Sequence, residues 1–371
     1  MQICIYSAYG IKAEQPHKHC NTKRFKSKED NEAAPCYEVQ KEVEYSISVV
    51  LQKEIAAERK NEKEAENISR KLTEDFMKIR EGYMPFMGYQ TYYRIVGEKT
   101  GDKKPLLLLH GGPGSGHDYF EVLDCLAEEG REIISYDQLG CGKSYLDGHP
   151  ELWKPEVWDQ ELMELRKFLG LDEVHILGQS WGGMLIIEYL VNYKPEGVKS
   201  TIISSGHPSS SLWSAEQHRW LKLMSEEDQA AIAKAEATGD FSDPAYLAAN
   251  DRFMERHCCP SVYPADAPEC LTREKKHGDE AYLYGWGPNE YTPTGSLKDF
   301  EYIDRLPEIK EPTLIISGTY DLCSPLVAKT MYDGIPNSKW ELFEGARHMC
   351  FVEDNPRYVK LLSGWLKEHD N

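Results

Sequence analysis

Short apolar runs alternate with helical patterns through most of this 371-residue chain, and this alternation constrains the fold more than any other feature. Gly, Pro or Asp bounds each run, as expected for parallel strands that are covered on both faces. Two further runs, 83–86 and 89–96, alternate in polarity and predict an opening hairpin. We therefore predict an α/β fold with one mostly parallel, doubly covered sheet. The other predicted strands are 105–109, 132–136, 174–177, 200–204, 312–317 and 340–343.

Two segments depart from this pattern and suggest how the chain is divided. Residues 208–298 are helical in places and rich in Trp and Tyr, which predicts a cap subdomain inserted into a core made of 77–207 and 299–371. Residues 1–76 are highly charged and contain no Trp. Such a segment buries little apolar surface, so we predict a charged N-terminal extension that is disordered or partly helical.

Composition excludes several classes of protein. The apolar content of 40% is sufficient for a large core. A net charge of −19 repels phosphate backbones and anionic lipid surfaces, so neither nucleic acid nor membrane is an expected partner. No apolar run reaches the length of a membrane helix, and no signal-peptide pattern is present, which predicts a cytoplasmic protein. Oligomeric state leaves no signature in the sequence.

The ten Cys do not indicate a disulfide scaffold or a zinc ribbon, because none belongs to a C-x-x-C pair. His17, His19 and Cys20 are metal-binding residue types, but no second ligand pair follows at a zinc-site spacing. We expect no metal and no cofactor.

The pentapeptide Gly178-Gln179-Ser180-Trp181-Gly182 directly follows the strand predicted at 174–177 and directly precedes an apolar helix. A sharp strand-to-helix turn needs small flanking residues, and it exposes a Ser hydroxyl at the carboxyl edge of a sheet, above a helix N-terminus. The alternative is a Gly-rich turn with an incidental Ser. The strand and helix context favours Ser180 as a nucleophile.

A second glycine-rich motif, His110-Gly111-Gly112-Pro113-Gly114, follows the strand predicted at 105–109. A loop of this kind presents backbone N–H groups without obstruction, as an oxyanion hole requires. We assign the N–H groups of Gly112 and Trp181 to this role, with Gly111 as the alternative to Gly112. A dinucleotide-binding loop is disfavoured because His117 occupies the position of its third Gly.

A nucleophilic Ser needs a base and an acid that orients the base, in the chain order Ser, Asp, His on this architecture. Asp321 follows the strand predicted at 312–317, and His348 follows the strand predicted at 340–343. The order and the strand positions predict a catalytic triad of Ser180, Asp321 and His348.

These motifs resemble those of the proline iminopeptidases, which are serine aminopeptidases of the alpha/beta-hydrolase fold, and the lactobacillal type is the most similar. The resemblance covers nearly all of 77–371. It implies that Ser180 is the nucleophile, Asp321 the orienting acid and His348 the base, and that small peptides with a free N-terminus lose their first residue, preferentially proline. The matching stretches are 84–97, 110–114, 136–142, 178–184, 285–294 and 321–329.

The resemblance also implies a carboxylate that holds the free amine of the substrate, and Glu290 matches that position. Charge-assisted hydrogen bonds to a carboxylate in a closed pocket would recognise an ammonium group. Some relatives place a second Glu directly after the triad Asp, where this chain has Leu322, and we predict that Glu255 of the cap supplies this charge instead. Aromatic residues of the cap could line a pocket for the pyrrolidine ring: Trp213, Trp220, Tyr282, Tyr284, Trp286 and Tyr291.

Two other functions fit parts of the pattern. An amino-acid amidase or esterase would use the same triad, because the fold and the triad do not select the leaving group. A non-catalytic ligand-binding protein on a hydrolase fold would keep the pocket, but such a protein loses part of the triad, and all three residues are present here. Comparing a free-amine prolyl amide with its N-acetylated form distinguishes an aminopeptidase from an amidase or esterase. Titration with a serine-directed phosphonate distinguishes an enzyme from a non-catalytic binding protein.

Overall fold

A computed structural model describes residues 78–371 of the chain. Within this range one sheet contains β1 Ile79–Phe86, β2 Tyr89–Val96, β3 Leu106–Leu109, β4 Ile133–Tyr136, β5 Val174–Gln179, β6 Val198–Ser204, β7 Thr313–Gly318 and β8 Ser338–Phe343. The strand order is β1-β2-β4-β3-β5-β6-β7-β8. The pairs β1/β2 and β2/β4 are antiparallel and the other pairs are parallel. The predicted mostly parallel sheet is confirmed.

The hairpin that opens this sheet turns at the two residues between the predicted runs. Met87 and Gly88 have φ values of 48° and 86°. Positive φ at both central residues is what a two-residue hairpin turn with the native twist requires.

The α-helices within residues 78–371 are α1 Pro155–Phe168, α2 Trp181–Glu188, α3 Ser210–Leu221, α4 Glu226–Thr238, α5 Pro244–His257, α6 Glu269–Thr272, α7 Asp279–Gly285, α8 Pro325–Gly334, α9 Cys350–Glu353 and α10 Asn355–Glu368. A π-helical turn, Tyr189–Tyr193, continues α2, and 3₁₀ helices occupy Asp118–Glu129, Gly142–Ser144, Pro150–Leu152 and Ile303–Glu308. None of the helices in this part of the chain is both long and apolar enough to cross a membrane.

The helical pattern at Asp118–Glu129 is realised as a 3₁₀ helix, although its length would suit an α-helix. Three of its buried residues, Phe120, Leu123 and Leu126, are spaced three apart. A helix with three residues per turn places such residues on one face, so the apolar spacing is consistent with the tighter helix.

The central strands are covered on both faces. Every residue of β3, β4, β5 and β7 is buried, whereas the edge strand β8 has one buried residue in six. Helix α2 packs against β5 and β6, and α8 packs against β7 and β8. Continuous burial explains why these strands read as unbroken apolar runs rather than as alternating ones.

The parallel arrangement gathers the predicted site at one edge of the sheet. Ser180 directly follows β5, Asp321 follows β7 and His348 follows β8. Because parallel strands end on the same side, loops after neighbouring strands lie close together and form a crevice there.

Helices α3 to α7 lie in one long insertion between β6 and β7. The chain enters and leaves the insertion side by side, since Ser209 pairs with Glu301 and the Tyr302 N–H donates to Pro208 O at 2.8 Å. We propose that 208–298 is a cap subdomain. The pairing of these two segments lies within a few residues of both of its predicted boundaries. The predicted extension 1–76, with His17, His19 and Cys20, lies outside the described residues.

Candidate active site

Ser180 lies in the sharp turn between β5 and α2, with φ 56° and ψ −119°. This backbone conformation is strained for a non-glycine residue, and such strain is typical of functional turns. A Cβ on Gly178 would lie 2.1 Å from Gly182 O, and one on Gly182 would lie 2.1 Å from Leu109 O. Both flanking positions therefore require glycine. The turn leaves Ser180 partly exposed and bonds its N–H to Ser204 O at 2.9 Å.

His348 and Asp321 are fully buried and hydrogen-bonded, with Nδ1 of His348 2.7 Å from Oδ1 of Asp321. Burial alone would lower the pKa of His348, but the charge and hydrogen bond of Asp321 outweigh it and raise the pKa above its ordinary value. With Nδ1–H donating to the carboxylate, Nε2 carries the lone pair. Within residues 78–371 this Nε2 has no hydrogen-bond partner.

The Asp321 carboxylate is held by three further donors. Ser205 Oγ donates to Oδ2 at 2.6 Å, the Gly318 N–H donates to Oδ2 at 3.1 Å, and the Cys323 N–H donates to Oδ1 at 2.9 Å. Ser205 itself has φ 54°, so a second strained serine follows β6. These bonds fix the carboxylate that orients His348. Ser205 is one of several serines between 200 and 214, so its local sequence gives no signal of this contact.

Short contacts bring the three predicted triad residues into one cluster. Ser180 is bonded to Ser204, whose neighbour Ser205 holds Asp321. On the other side, Gln179 Nε2 donates to His348 O at 3.4 Å. The three residues of the predicted triad are thus linked through adjoining backbone and side chains.

The end of helix α5 rests on the triad loops. His257 O accepts hydrogen bonds from the N–H groups of Leu322, at 3.2 Å, and His348, at 3.1 Å. Trp220 of α3 donates through Nε1 to Asp321 O at 3.2 Å. The cap therefore helps to position the residues that follow β7 and β8.

The N–H groups predicted for the oxyanion hole, those of Gly112 and Trp181, differ from the alternative at Gly111 in whether they already donate a hydrogen bond. The Gly111 N–H donates to Tyr119 Oη at 2.6 Å, so it is already occupied. No hydrogen bond within residues 78–371 uses the Gly112 N–H as a donor. Trp181 is the first residue of α2, where an N–H has no acceptor inside the helix. This pattern favours Gly112 over Gly111.

The oxyanion loop also lies against the nucleophile. A Cβ on Gly111 would be 3.1 Å from the Cβ of Ser180. This proximity is what the predicted oxyanion hole requires, because its donors must lie beside a carbonyl that the nucleophile attacks.

Glu290 is buried beside this cluster, with 7% of its surface exposed. Its Oε2 accepts a hydrogen bond from Tyr282 Oη at 2.8 Å. Burial raises the pKa of Glu290 to about 7, against the lowering effects of the Tyr282 hydrogen bond and the His348 charge. Trp213 connects Glu290 to the triad, because its Nε1 donates to Glu290 O at 3.0 Å and its ring centroid lies 6.2 Å from that of His348.

Glu255 does not fit the second amine-binding role that we predicted. Its side chain is exposed on the last turn of α5, and its carboxylate lies 3.5 Å from Ser261 Oγ. Water solvates an exposed carboxylate, which therefore contributes little to holding a cation. The pocket proposed below rests on Glu290 alone.

The six cap aromatics fall into different surroundings. Trp213, Tyr282 and Trp286 are buried. Trp213 and Tyr282 donate hydrogen bonds to Glu290, and Trp286 packs edge to face on Trp213 with centroids 6.0 Å apart. Trp220 supports the Asp321 loop, and Tyr291 packs on Phe253 inside the cap. Tyr284 is 48% exposed. Trp213, Tyr282 and Trp286 are therefore the candidates for an apolar pocket wall.

One group of residues of metal-binding types already serves the fold. Ligand atoms of His110, Asp137 and Cys141 lie within 4.8 Å of one another and are buried. His110 Nε2 accepts the Gln138 N–H at 3.0 Å, and Asp137 accepts hydrogen bonds from the backbone and ring of His117. Burial lowers the pKa of His110 to about 4, so its ring is neutral. These contacts form a structural network beneath the oxyanion loop.

Comparison with known proteins decides the family. Residues 104–355 match the family model of the alpha/beta hydrolase fold. The chain is 61% identical over 294 residues to the proline iminopeptidase of Clostridioides difficile, covering 79% of this chain and 100% of that protein. The chain belongs to the proline iminopeptidase family. The proline iminopeptidase of Lactobacillus helveticus is 59% identical over 296 residues, which confirms the predicted resemblance to lactobacillal members.

Solved structures agree with this assignment. The crystal structure of a proline iminopeptidase from Mycobacterium smegmatis matches with a TM-score of 0.69 and 32% identity, covering 78% of this chain and 99% of that one. An esterase from Exiguobacterium antarcticum, at 20% identity and a TM-score of 0.53, shares the fold alone. The alpha/beta-hydrolase fold is confirmed.

Proposed function

We propose that this protein is a serine aminopeptidase that releases the N-terminal residue of small peptides, preferentially proline, through an acyl-enzyme. The observation that carries the proposal is the buried carboxylate of Glu290 beside the base His348. A simple esterase needs no buried anion at this place, whereas an enzyme that removes one N-terminal residue must bind a cation next to the scissile carbonyl. The names of the relatives at 55–61% identity support the same conclusion.

The chemistry follows from the hydrogen bonds around His348. Because Nδ1–H is committed to Asp321, Nε2 removes the proton from Ser180, and the hydroxyl oxygen attacks the first peptide carbonyl. The N–H groups of Gly112 and Trp181 stabilise the oxyanion. His348 then protonates the leaving amine, and water attacks the acyl-enzyme with His348 again as base. No step calls for a cofactor.

Recognition of the substrate amine is electrostatic. Glu290 is costly to ionise in the empty pocket, because burial raises its pKa to about 7. An ammonium group in the pocket favours the charged carboxylate, and Tyr282 holds the carboxylate in place. The apolar surfaces of Trp213 and Trp286 would pack on a compact ring such as pyrrolidine.

A panel of aminoacyl arylamides tests the substrate class. We expect the highest kcat/KM for the prolyl substrate, with lower values for alanyl and leucyl arylamides of the same leaving group. Higher rates on simple esters or N-blocked amides than on the prolyl arylamide would favour the amidase or esterase alternative.

Glu290→Gln tests amine binding through its pH dependence. The wild-type kcat/KM for a prolyl arylamide should rise with pH near 7, because both Glu290 and His348 must lose a proton. The kcat/KM of the variant should be roughly tenfold to a hundredfold lower than that of wild type, mostly through a higher KM, because a charge-assisted hydrogen bond contributes about 1.5–3 kcal/mol. Its remaining acid limb should belong to His348 alone. Equal losses on free-amine and N-acetylated substrates would contradict the role.

The thermal stability of Glu290→Gln provides a control, because the pKa shift of Glu290 fixes the direction in which the melting temperature should change. The pKa of Glu290 is raised by folding, from 4.5 to about 7, so its contribution to stability is present at low pH and is lost as pH rises through that window. Glu290→Gln should therefore melt at a higher temperature than wild type at pH 8, by a few degrees, with a smaller difference at pH 5. A variant that loses activity while gaining stability has not lost its fold.

Residues 1–76 are, in this proposal, an extension that catalysis does not need. Relatives are matched over their whole length by 79% of this chain, which supports a fold that is complete without the segment. A protein truncated to begin at Met77 should keep its kcat/KM and melting temperature. A large loss of either would show that the segment packs on the enzyme and contributes to it.

We also propose a cytoplasmic location. Within residues 78–371 none of the seven Cys forms a disulfide bond, and six of them are buried, as expected in a reducing compartment.

A further inference from the structure

Two adjacent cysteines, Cys258 and Cys259, end helix α5 and have no part in the proposed mechanism. They are 0% and 8% exposed, and their N–H groups both donate to Met254 O, at 2.7 and 3.2 Å. A hydrogen bond between the two thiols lowers the pKa of Cys259 and raises that of Cys258. The backbone thus holds two thiols side by side, and Cys259 is the first of them to ionise.

The pair lies where α5 supports the triad. His257, directly before the pair, accepts hydrogen bonds through its carbonyl from Leu322 and His348. Arg347, directly before His348, donates through Nη1 to Glu255 O on the same helical turn at 2.6 Å. Any group that enters between Cys258 and Cys259 therefore displaces backbone to which the catalytic base is attached.

An irregular segment follows the pair. Between Cys259 and helix α6 the chain forms no helix or strand, and Ser261 and Val262 are exposed. Burial and the neighbouring thiols of Cys259 and Cys258 raise the pKa of Tyr263, so this residue of the segment lies beside the pair. A local opening of an irregular segment next to the thiols would admit a small reagent.

We propose that Cys258 and Cys259 form a dithiol site for a soft, thiophilic ligand, represented by a monosubstituted trivalent arsenical, and that occupancy of the site inactivates the enzyme. Thiolate is the ligand type that soft centres select over oxygen and nitrogen donors. With phenylarsine oxide, the arsenic–oxygen bonds break and two arsenic–sulfur bonds form. The oxygen leaves as water with the two thiol protons, and neither arsenic nor sulfur changes oxidation state.

Two other buried cysteines near the triad, Cys323 and Cys350, are expected to be less reactive than Cys259. The Cys323 thiol donates to Gly206 O at 2.9 Å, and the Cys350 thiol donates to Arg347 O at 3.3 Å. Burial raises the pKa of both thiols well above the ordinary value. Since the thiolate is the reactive form, these two should react more slowly than Cys259.

The expected effect on activity is large because the site acts on the position of His348. A shift of about 1 Å in a catalytic group can reduce the rate about a hundredfold. One equivalent of phenylarsine oxide should lower kcat/KM for a prolyl arylamide at least about tenfold. Excess 2,3-dimercaptopropanol should restore activity, and the same thiol concentration of 2-mercaptoethanol should not, because a dithiol competes for both arsenic–sulfur bonds.

The test uses the full chain, labelled with one equivalent of phenylarsine oxide and mapped by mass spectrometry. We expect the arsenical on the peptide that contains Cys258 and Cys259, with both thiols lost. Cys259→Ser should keep basal activity and resist inactivation, whereas Cys270→Ser, a buried cap thiol, and Cys323→Ser should stay sensitive. Labelling elsewhere, no inactivation of wild type, or equal sensitivity of Cys259→Ser would overturn the proposal. If Cys259→Ser does not fold, the mapping of wild type decides.

Discussion

Ser180→Ala is expected to lower kcat for a prolyl arylamide by at least about ten-thousand-fold, because nothing else in the turn can form the acyl-enzyme. The oxyanion donors and the substrate pocket remain, so a residual rate above that in water should persist. Steady-state kinetics and labelling with a serine-directed phosphonate measure the effect. Wild type should take up one phosphonate per chain at Ser180, and the variant should take up none.

The matched control is Ser242→Ala, an exposed serine of the cap. It should retain wild-type activity and melting temperature. Ser180→Ala should also melt within a few degrees of wild type, since alanine occupies the same backbone position and Ser180 is partly exposed. Near-native turnover by Ser180→Ala would remove Ser180 from the mechanism.

Asp321→Asn is expected to reduce kcat by about ten-thousand-fold, with little change in KM. The amide keeps the shape of the carboxylate, but its NH₂ group replaces one of the two oxygens. The side chain then loses either the pair of hydrogen bonds that His348 and Cys323 donate to Oδ1 or the pair that Ser205 and Gly318 donate to Oδ2. It therefore favours the wrong tautomer of His348. The pKa of His348 should also fall, since the Asp321 charge raises it, and the acid limb of the pH–rate profile should move to lower pH.

Ser205→Ala provides a graded comparison with Asp321→Asn. It removes one hydrogen bond to the carboxylate and keeps the charge, so we expect a loss of about tenfold in kcat, in line with about 1.5 kcal/mol for one bond to a charged group. A loss of less than tenfold for Asp321→Asn would contradict the orienting role of Asp321. If Ser205→Ala has the kcat of wild type, the remaining donors are sufficient to hold the Asp321 carboxylate.

The sequence was informative wherever a local pattern determines the structure. The buried strands read as apolar runs because helices cover them on both sides, and the hairpin turn was readable from Met87-Gly88. The turn at Ser180 was readable because neighbouring backbone leaves no space for a Cβ at Gly178 or Gly182. Chain order and strand position also singled out Asp321 and His348, which are hydrogen-bonded to each other in the structure.

Contacts between distant segments could not be read in this way. Ser205 reaches Asp321 across 116 residues of chain, and nothing in its local sequence distinguishes it from other serines. Glu255 appeared suitable for amine binding because it lies in the cap, but the direction that α5 faces leaves its side chain in solvent. Residue type and position along the chain do not reveal which side of a cap helix faces the triad.

The central claim is that a buried carboxylate selects substrates with a free N-terminal amine for attack by Ser180. The most direct measurement compares kcat/KM for a prolyl arylamide with that for its N-acetylated form at pH 8. The account predicts a preference of at least about a hundredfold for the free amine, of the size expected when a buried charge loses its partner. Equal values for the two substrates would contradict it.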